Sequence, residues 1–171
     1  EALVVIFVIG TISSMMIVNW RKNESQYQLQ RAAQEIMQNI RKAQDFALNG
    51  RLTPWPPPPG SMSVPRNYGI HFERSQPTFY FIYSDFQGNY GYQNPEGIEE
   101  TNTWTEAGIE IDSIGGDRLD IFFSVPDGFV GFYNFPSAEE VTITIKKTGK
   151  TCPSVNCRNI IIRKTGEISI E

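Results

Sequence analysis

The chain begins Glu1-Ala-Leu-Val-Val-Ile-Phe-Val-Ile-Gly10-Thr-Ile-Ser-Ser-Met-Met-Ile-Val18, which places one carboxylate directly against a long apolar run. No further charge follows until Arg21. At ~1.5 Å per helical residue the run rises ~26 Å, close to the ~30 Å hydrocarbon core of a bilayer. A charge at the head of such a segment costs several kcal/mol unless a partner neutralises it, so we expect Glu1 to have a functional partner.

These residues resemble the start of a mature type IV pilin or pseudopilin after cleavage by prepilin peptidase, with Gly10 nine positions after the acid. In that family the chain reads Phe-Thr-Leu-Ile-Glu, so four further residues are expected ahead of Glu1. Most pilins carry a proline near the end of the apolar run, where this chain has Val18. The alternative is the signal anchor of a membrane protein that does not assemble, but anchors usually carry positive residues on the cytoplasmic flank and gain nothing from an acid.

The resemblance implies assembly rather than chemistry. Glu1 would meet the methylated amino terminus of a neighbouring subunit, and the penalty for an unpaired charge would fix the axial register. The implied partners are other copies in a helical filament, the inner membrane before assembly, prepilin peptidase and the pilus assembly machinery. The implied location is an extracellular pilus filament that serves adhesion or motility. The residues expected to carry assembly are Glu1, Leu3, Val4, Ile6, Phe7, Gly10, Ile12, Met15 and Val18.

An amphipathic helix is predicted to follow the apolar run. Its apolar stripe, with spacings of four and three, consists of Leu29, Ala33, Ile36, Ile40, Ala43 and Ala47. This spacing is typical of a helix that packs along one face. Asn49-Gly50 is a suitable C-terminal stop. The two parts together predict one helix of about 50 residues, roughly 75 Å long if unbroken.

A proline-rich connector follows the helix and cannot continue it. Pro54-Trp-Pro-Pro-Pro-Pro-Gly60 favours a stiff polyproline II conformation, which suits a spacer or a ligand for a proline-recognition domain. The predicted organisation is an N-terminal helix at 1–50, with an apolar half at 1–20 and an amphipathic half at 21–50. A connector at 51–67 and a β-rich globular domain at 68–171 complete it.

Strand-like runs dominate the rest of the chain. They are 68–73, 78–84, 118–125, 129–135, 140–147, 158–163 and 167–170. The run 140–147 alternates apolar and polar residues, as expected for a sheet with one solvated face. Pro126-Asp-Gly128 and Lys164-Thr-Gly166 are typical of turns between neighbouring strands. The predicted fold class is therefore α+β, with a long N-terminal helix, the pilin spine, packed on a C-terminal antiparallel β-sheet domain.

The sequences of residues 31–50, in the predicted helix, and 157–168, near the end of the chain, are similar to those of the FimT-like and H-type pseudopilins. Some FimT-like minor pilins capture DNA for uptake. This similarity implies an alternative to the main filament subunit, namely a minor tip pilin or a pseudopilin of a secretion or DNA-uptake system that binds DNA or a surface.

Cys152 and Cys157 are the two cysteines of the chain. Outside the cytoplasm they are expected to form a disulfide that fixes the C-terminal region, because the loop between them is short. A zinc site is the alternative. His71 is the single histidine, so such a site would need carboxylate ligands as well.

Charge is unevenly distributed along a chain of net charge −4. Residues 70–140 carry thirteen acids and two bases, whereas residues 141–166 carry six bases and no acid. The bases are Lys146, Lys147, Lys150, Arg158, Arg163 and Lys164. The segregation favours charge pairing between adjacent subunits. Binding of nucleic acid by the same bases is the alternative, although the segment lacks interleaved aromatic residues.

No catalytic constellation or cofactor motif is recognisable, so the sequence predicts neither an enzyme nor a cofactor. His71 lies in an alternating strand, where a lone histidine is usually structural or exposed. A weak calcium candidate consists of Asp85, Gln87, Asn89 and Glu96, which occupy positions 1, 3, 5 and 12 of a twelve-residue loop. Tyr90 stands where such a loop has glycine, and a turn explains the same residues, so no metal site is assigned.

Overall fold

The computed structural model describes residues 2–54, 62–93, 97–103, 108–153 and 155–171. The chain opens with one helix, α1 (Ala2–Leu48), whose side chains are described from Gln26 on, together with Phe7, Thr11 and Glu24. The strands that follow are β1 (Thr53–Pro54), β2 (Met62–Ser63), β3 (Asn67–Glu73), β4 (Phe79–Asp85), β5 (Gly97–Thr103), β6 (Ile109–Ser113), β7 (Arg118–Ser124), β8 (Val130–Phe132), β9 (Glu140–Lys147), β10 (Cys157–Arg163) and β11 (Ile168–Ile170).

The predicted helical stripe is confirmed as the buried face of α1. Its six residues, Leu29, Ala33, Ile36, Ile40, Ala43 and Ala47, are all fully buried. The helix ends where the sequence places its stop, because Gly50 adopts a φ of 55° that favours glycine. The amide of Gly50 donates to the carbonyl of Ala47 at 3.2 Å, and that of Arg51 donates to Phe46 at 3.1 Å.

Within the described residues the strands form three antiparallel sheets. The largest has the order β5-β4-β3-β7-β8, the second has the order β11-β10-β9-β6, and β1 and β2 form a separate two-stranded ribbon. The helix contacts β3 and β7 of the first sheet and β9, β10 and β11 of the second. One core therefore joins α1 to the inner faces of both larger sheets.

Alternation along the strands builds this core. In β3 the side chains of Tyr68, Ile70 and Phe72 belong to the common core. In β9 the residues Val141, Ile143 and Ile145 are buried, and the residues between them are partly exposed, as predicted for a sheet with one solvated face. The five-stranded sheet differs, because the opposite face of β3 is also buried up to His71.

The predicted fold class, α+β with a long N-terminal helix packed on an antiparallel sheet domain, is wrong. The described chain is mostly β, and the helical part that carries packed side chains covers about 23 residues from Gln26 on. The described strands form three sheets, whereas one was predicted. The helix packs against two of these sheets, whereas it was predicted to pack against one. Strands β5, β6 and the β1–β2 ribbon were not predicted. The sequence of β5 is largely polar, so it lacked the apolar alternation on which the other strand predictions depended.

The other strands were placed correctly, within a few residues at their ends. The turn 126–128 joins the neighbouring strands β7 and β8, and the turn 164–166 joins β10 and β11, as predicted. Of the proline-rich connector, Pro54 belongs to β1, and residues 55–61 lie outside the described part of the chain.

Candidate functional site

The assembly residues lie at the start of α1. Glu1 lies outside the described residues, as do the side chains of Leu3, Val4, Ile6, Gly10, Ile12, Met15 and Val18. The side chain of Phe7 is described, and 72% of it is exposed. Further along the helix, Tyr27 is still 70% exposed, and Leu29 is the first described residue of α1 that is buried. In the part of the chain the structure describes, no helix has the length and hydropathy needed to cross a membrane.

The predicted basic stretch has much of its charge paired within the chain. Lys146 lies 2.6 Å from Asp112 and 3.6 Å from Glu110, because β9 and β6 are neighbours. Arg163 lies 3.2 Å from Glu140 and 2.7 Å from Glu167. The charges that are segregated along the sequence are therefore interleaved in space.

The remaining bases of this stretch make weaker contacts. Lys147 reaches the side-chain oxygen of Gln28 at 3.4 Å. Lys164 donates to the carbonyl of Pro136 at 2.9 Å and lies 4.0 Å from Glu139. The remaining two are Arg158, whose guanidinium donates to the Cys157 carbonyl, and Lys150, which is exposed.

The ion pairs of Lys146 and Arg163 raise the pKa of each base, as expected for a cation beside carboxylates. The hydrogen bond to Asp112 raises the pKa of Lys146, and the nearby charges of Asp112 and Glu110 add to the effect. The hydrogen bonds to Glu167 and Glu140 raise the pKa of Arg163. Because all these side chains are solvated, each pair contributes little to stability.

The calcium candidates lie in the loop that follows β4. Asp85 is fully buried, and both of its carboxylate oxygens accept hydrogen bonds from N–H groups. The amide of Gly88 donates to Oδ1 at 2.7 Å, and Asn67 and the amide of Tyr90 donate to Oδ2 at 2.8 and 3.0 Å. Asp85 therefore organises the turn.

The other candidates of this loop do not form a ligand set in the described residues. Gln87 accepts a hydrogen bond from Asn89 at 3.1 Å, and Glu96 lies outside the described residues. No group of three or more possible acidic, histidine or cysteine ligands occurs in the described part of the chain. Tyr90 adopts a φ of 68°, a value that favours glycine. The amides of Gly88 and Tyr90 hold this turn in place by donating hydrogen bonds to the Asp85 carboxylate.

The outer face of the five-stranded sheet carries a buried polar cluster, which we call the His71 cluster: His71, Asp120, Arg118 and Tyr92. The register of β3 and β7 places His71 directly opposite Asp120. Nδ1 of His71 lies 2.6 Å from Oδ1 of Asp120, and since a carboxylate can only accept, the ring nitrogen donates. Nε of Arg118 donates to Oδ2 at 3.0 Å, and the amide of Tyr92 donates to Oδ1 at 3.2 Å.

Aromatic rings close the His71 cluster from solvent. The ring of His71 stacks on Phe81 with centroids 4.8 Å apart, and the ring of Tyr92 packs edge-on against Phe81 at 4.7 Å. The guanidinium of Arg118 also donates to the carbonyl of Tyr92. Because His71 is 5% exposed and Asp120 is fully buried, this arrangement fastens the loop after β4 to the sheet and leaves the imidazole little access to a substrate.

Beside this loop lies an open cavity of about 380 Å³, which we call the aromatic groove. It is lined chiefly by Tyr90, Phe122, Phe129, Tyr133, Pro136 and Lys164. Three of its rings are substantially exposed: Tyr90 at 50%, Phe129 at 58% and Tyr133 at 40%. The groove offers aromatic surface with one cation at its side, which suits an apolar or ring-bearing ligand.

The floor of the aromatic groove is set by one close approach. Gly131 of β8 pairs with Phe122 of β7, and a Cβ at Gly131 would lie 2.1 Å from the Phe122 ring. The end of the Phe122 ring therefore occupies the space beside Gly131 in which a side chain would lie. The Phe122 ring also contacts the ring of Tyr90, with centroids 4.9 Å apart.

The predicted disulfide between Cys152 and Cys157 is confirmed, with Cα atoms 6.0 Å apart. Cys157 is the first residue of β10 and pairs with Lys146 of β9. The bridge therefore ties the loop before β10 to the second sheet.

Sequence reasoning missed both the His71 cluster and the aromatic groove. A signal for the first was present, because Arg118 and Asp120 lie two residues apart in one strand and so share a face. The groove combines residues from the turn at Tyr90, from β7 and β8, and from the turn at Lys164, so no local pattern marks it.

Comparison of this chain with known protein families, with curated proteins and with solved structures found no match.

Proposed function

We propose that this chain is a structural pilin subunit that polymerises through its apolar N-terminal segment into a filament of the type IV pilus kind. The observation that carries the proposal is the exposure of Phe7, which is 72% exposed within the uncharged run 2–18. Buried side chains of α1 begin only at Leu29, among those the structure describes. A large apolar side chain exposed in an uncharged run favours a second surface that covers it.

The N-terminal carboxylate supports the same proposal. Glu1 stands at the head of the uncharged run, where an unpaired charge is costly once it is buried. A neighbouring copy that supplies its amino terminus removes that cost in one register and leaves it in the others. On this proposal the segment lies in the inner membrane before assembly and in the filament core afterwards. Prepilin peptidase and the assembly machinery act on it between those states.

The alternative is a minor pilin that binds DNA, and the contacts of the basic stretch give it less support. Lys146 and Arg163 each lie near two carboxylates of the same chain. A phosphate would have to compete with these fixed acids, which lowers the net gain from each contact. The contacts of the basic stretch therefore favour ion pairing within the chain over binding of nucleic acid.

The test is the change Glu1→Val in the full chain, expressed in a cell that assembles the filament. We expect filaments to be lost or misregistered, as seen by electron microscopy, while the urea unfolding transition of the β-rich part stays within about 0.5 kcal/mol of the parent. Glu24→Val is the matched control, since Glu24 is an exposed carboxylate beyond the uncharged run. Normal filaments from Glu1→Val would refute the register role.

A second measurement separates this proposal from a membrane protein that does not assemble. Mass spectrometry of the mature amino terminus is expected to show a cleaved and methylated start. An uncleaved, unmethylated terminus would contradict the assignment.

A further inference from the structure

The aromatic groove has the chemistry of a site for polyproline II segments. Exposed rings of Tyr90, Phe129 and Tyr133 stand around a floor made by Phe122. Aromatic-lined grooves bind such segments because the flat pyrrolidine rings pack between aromatic side chains and the extended backbone loses little entropy on binding. Lys164 adds a donor at the side of the groove, where the free carbonyls of a polyproline II backbone need one.

The same chain carries a segment of matching chemistry. Residues 54–60 read Pro-Trp-Pro-Pro-Pro-Pro-Gly, and no charged residue occurs from Leu52 to Pro65. The four consecutive prolines span about 12 Å in polyproline II geometry. An uncharged segment of this kind loses no ion pair and desolvates no charge when it enters an apolar groove.

The described residues on either side of this segment form the ribbon of β1 and β2. The ribbon of β1 and β2 pairs Thr53 with Ser63 and Pro54 with Met62. Thr53 is buried, whereas Pro54 and Met62 are exposed. Residues 55–61 are therefore flanked in the chain by two exposed residues, Pro54 and Met62.

We propose that the aromatic groove binds the proline-rich segment, residues 54–60, of a second copy of this chain. A segment on one copy and a groove on the next make a heterologous contact, which extends into an open polymer unless the rotation closes a ring. This contact rests on the proposed function, because filament assembly is what brings two copies together. The apolar segment 2–18 takes no part in this contact.

The test uses a fluorescein-labelled peptide of residues 52–63, titrated with the full chain and followed by fluorescence anisotropy. We expect saturable binding that Phe129→Ala or Tyr133→Ala weakens by about tenfold or more, as for aromatic residues at the centre of an interface. Tyr27→Ala is the matched control, because Tyr27 is an exposed aromatic residue on α1, outside the groove, and its loss should leave binding unchanged. A peptide with alanine in place of prolines 56–59 should bind at least tenfold more weakly.

Three results would overturn the proposal: no binding of the peptide, binding that the groove variants do not change, or equal binding of the alanine peptide. A further arm replaces residues 55–59 of the chain with glycine and serine. The wild-type chain and this variant are compared at a concentration where the wild-type chain is monomeric. If only the variant binds the peptide there, the segment occupies the groove of its own copy, and the assignment to a second copy is wrong. The outcome is independent of the filament test, since Glu1→Val changes filaments without changing peptide binding.

Discussion

Removal of the Asp120 carboxylate is expected to destabilise the fold far more than removal of an equally close surface carboxylate. Asp120 is fully buried and accepts hydrogen bonds from His71, Arg118 and the amide of Tyr92. Asp120→Ala leaves these donors without their acceptor. Each buried donor left unsatisfied costs about 1 to 3 kcal/mol. Arg118 is 39% exposed and can turn to water, so the cost falls mainly on the other two donors and totals about 3 kcal/mol.

Urea unfolding followed by tryptophan fluorescence and near-UV circular dichroism measures this loss. At this chain length about 3 kcal/mol corresponds to a fall in Tm of roughly 6 to 12 °C. The matched control is Asp112→Ala, because Asp112 lies as close to its partner Lys146, at 2.6 Å, as Asp120 lies to His71, but has 28% of its side chain exposed. That change should cost about 1 kcal/mol or less.

A double variant sharpens the test of the His71 cluster. His71→Phe keeps an aromatic ring in the stack with Phe81 and removes one of the stranded donors. Since replacing both partners with apolar groups can be nearly neutral, Asp120→Ala with His71→Phe should be more stable than Asp120→Ala alone. A cost for Asp120→Ala no larger than that for Asp112→Ala would show that the buried donors do not depend on the Asp120 carboxylate.

Two further predictions concern residues of β3. Gly69→Ala should lower stability by about 1 to 3 kcal/mol in thermal or urea unfolding, because the new Cβ would lie 2.4 Å from the ring of Tyr83, which is fully buried. Burial, with the charge of Glu99 adding to it, raises the pKa of Tyr68 to about 12, from an ordinary value of 10. The unfolded chain therefore ionises first, so stability is present below pH 10 and falls by up to about 2 to 3 kcal/mol by pH 12. Tyr68→Phe should flatten that fall, at a neutral-pH cost of about 1 kcal/mol for the lost hydrogen bond to the Arg51 carbonyl.

Both predictions have simple controls and contrary outcomes. For Gly69→Ala, unchanged stability would mean that the Tyr83 ring moves away without cost. For Tyr68→Phe the control is Tyr133→Phe, since Tyr133 is 40% exposed and its removal should leave the alkaline slope as it is. Parallel slopes in all three proteins would show that Tyr68 does not contribute to alkaline unfolding.

Local patterns in the sequence predicted local structure well. The stripe from Leu29 to Ala47, the stop at Gly50 and the alternation of 140–147 each depend on neighbouring residues, and the structure confirms them. The predicted fold class was wrong because it depends on how the sheets are arranged around the helix, which local patterns do not reveal. The polar strand β5 and the ribbon at the connector carry little of the periodicity that reveals strands.

The candidate sites show the same division. Cys152 and Cys157 are close in sequence, and their bond was predicted correctly. The charge segregation of the basic stretch was read along the chain, whereas Lys146 meets Asp112 only because β9 pairs with β6. Such contacts come from strand order, which a single sequence does not reveal.

Cross-linking at Phe7 tests the assembly claim most directly. Phe7→Cys places a single reactive thiol on the apolar segment, since the described part of the chain contains no free cysteine and the wild-type protein serves as the background. Treatment of assembling cells with a short bismaleimide is predicted to give a covalent dimer, which is the largest product that one thiol per copy allows. If Phe7→Cys stays monomeric under these conditions, apolar segments of neighbouring copies do not meet, and the proposed polymer is contradicted.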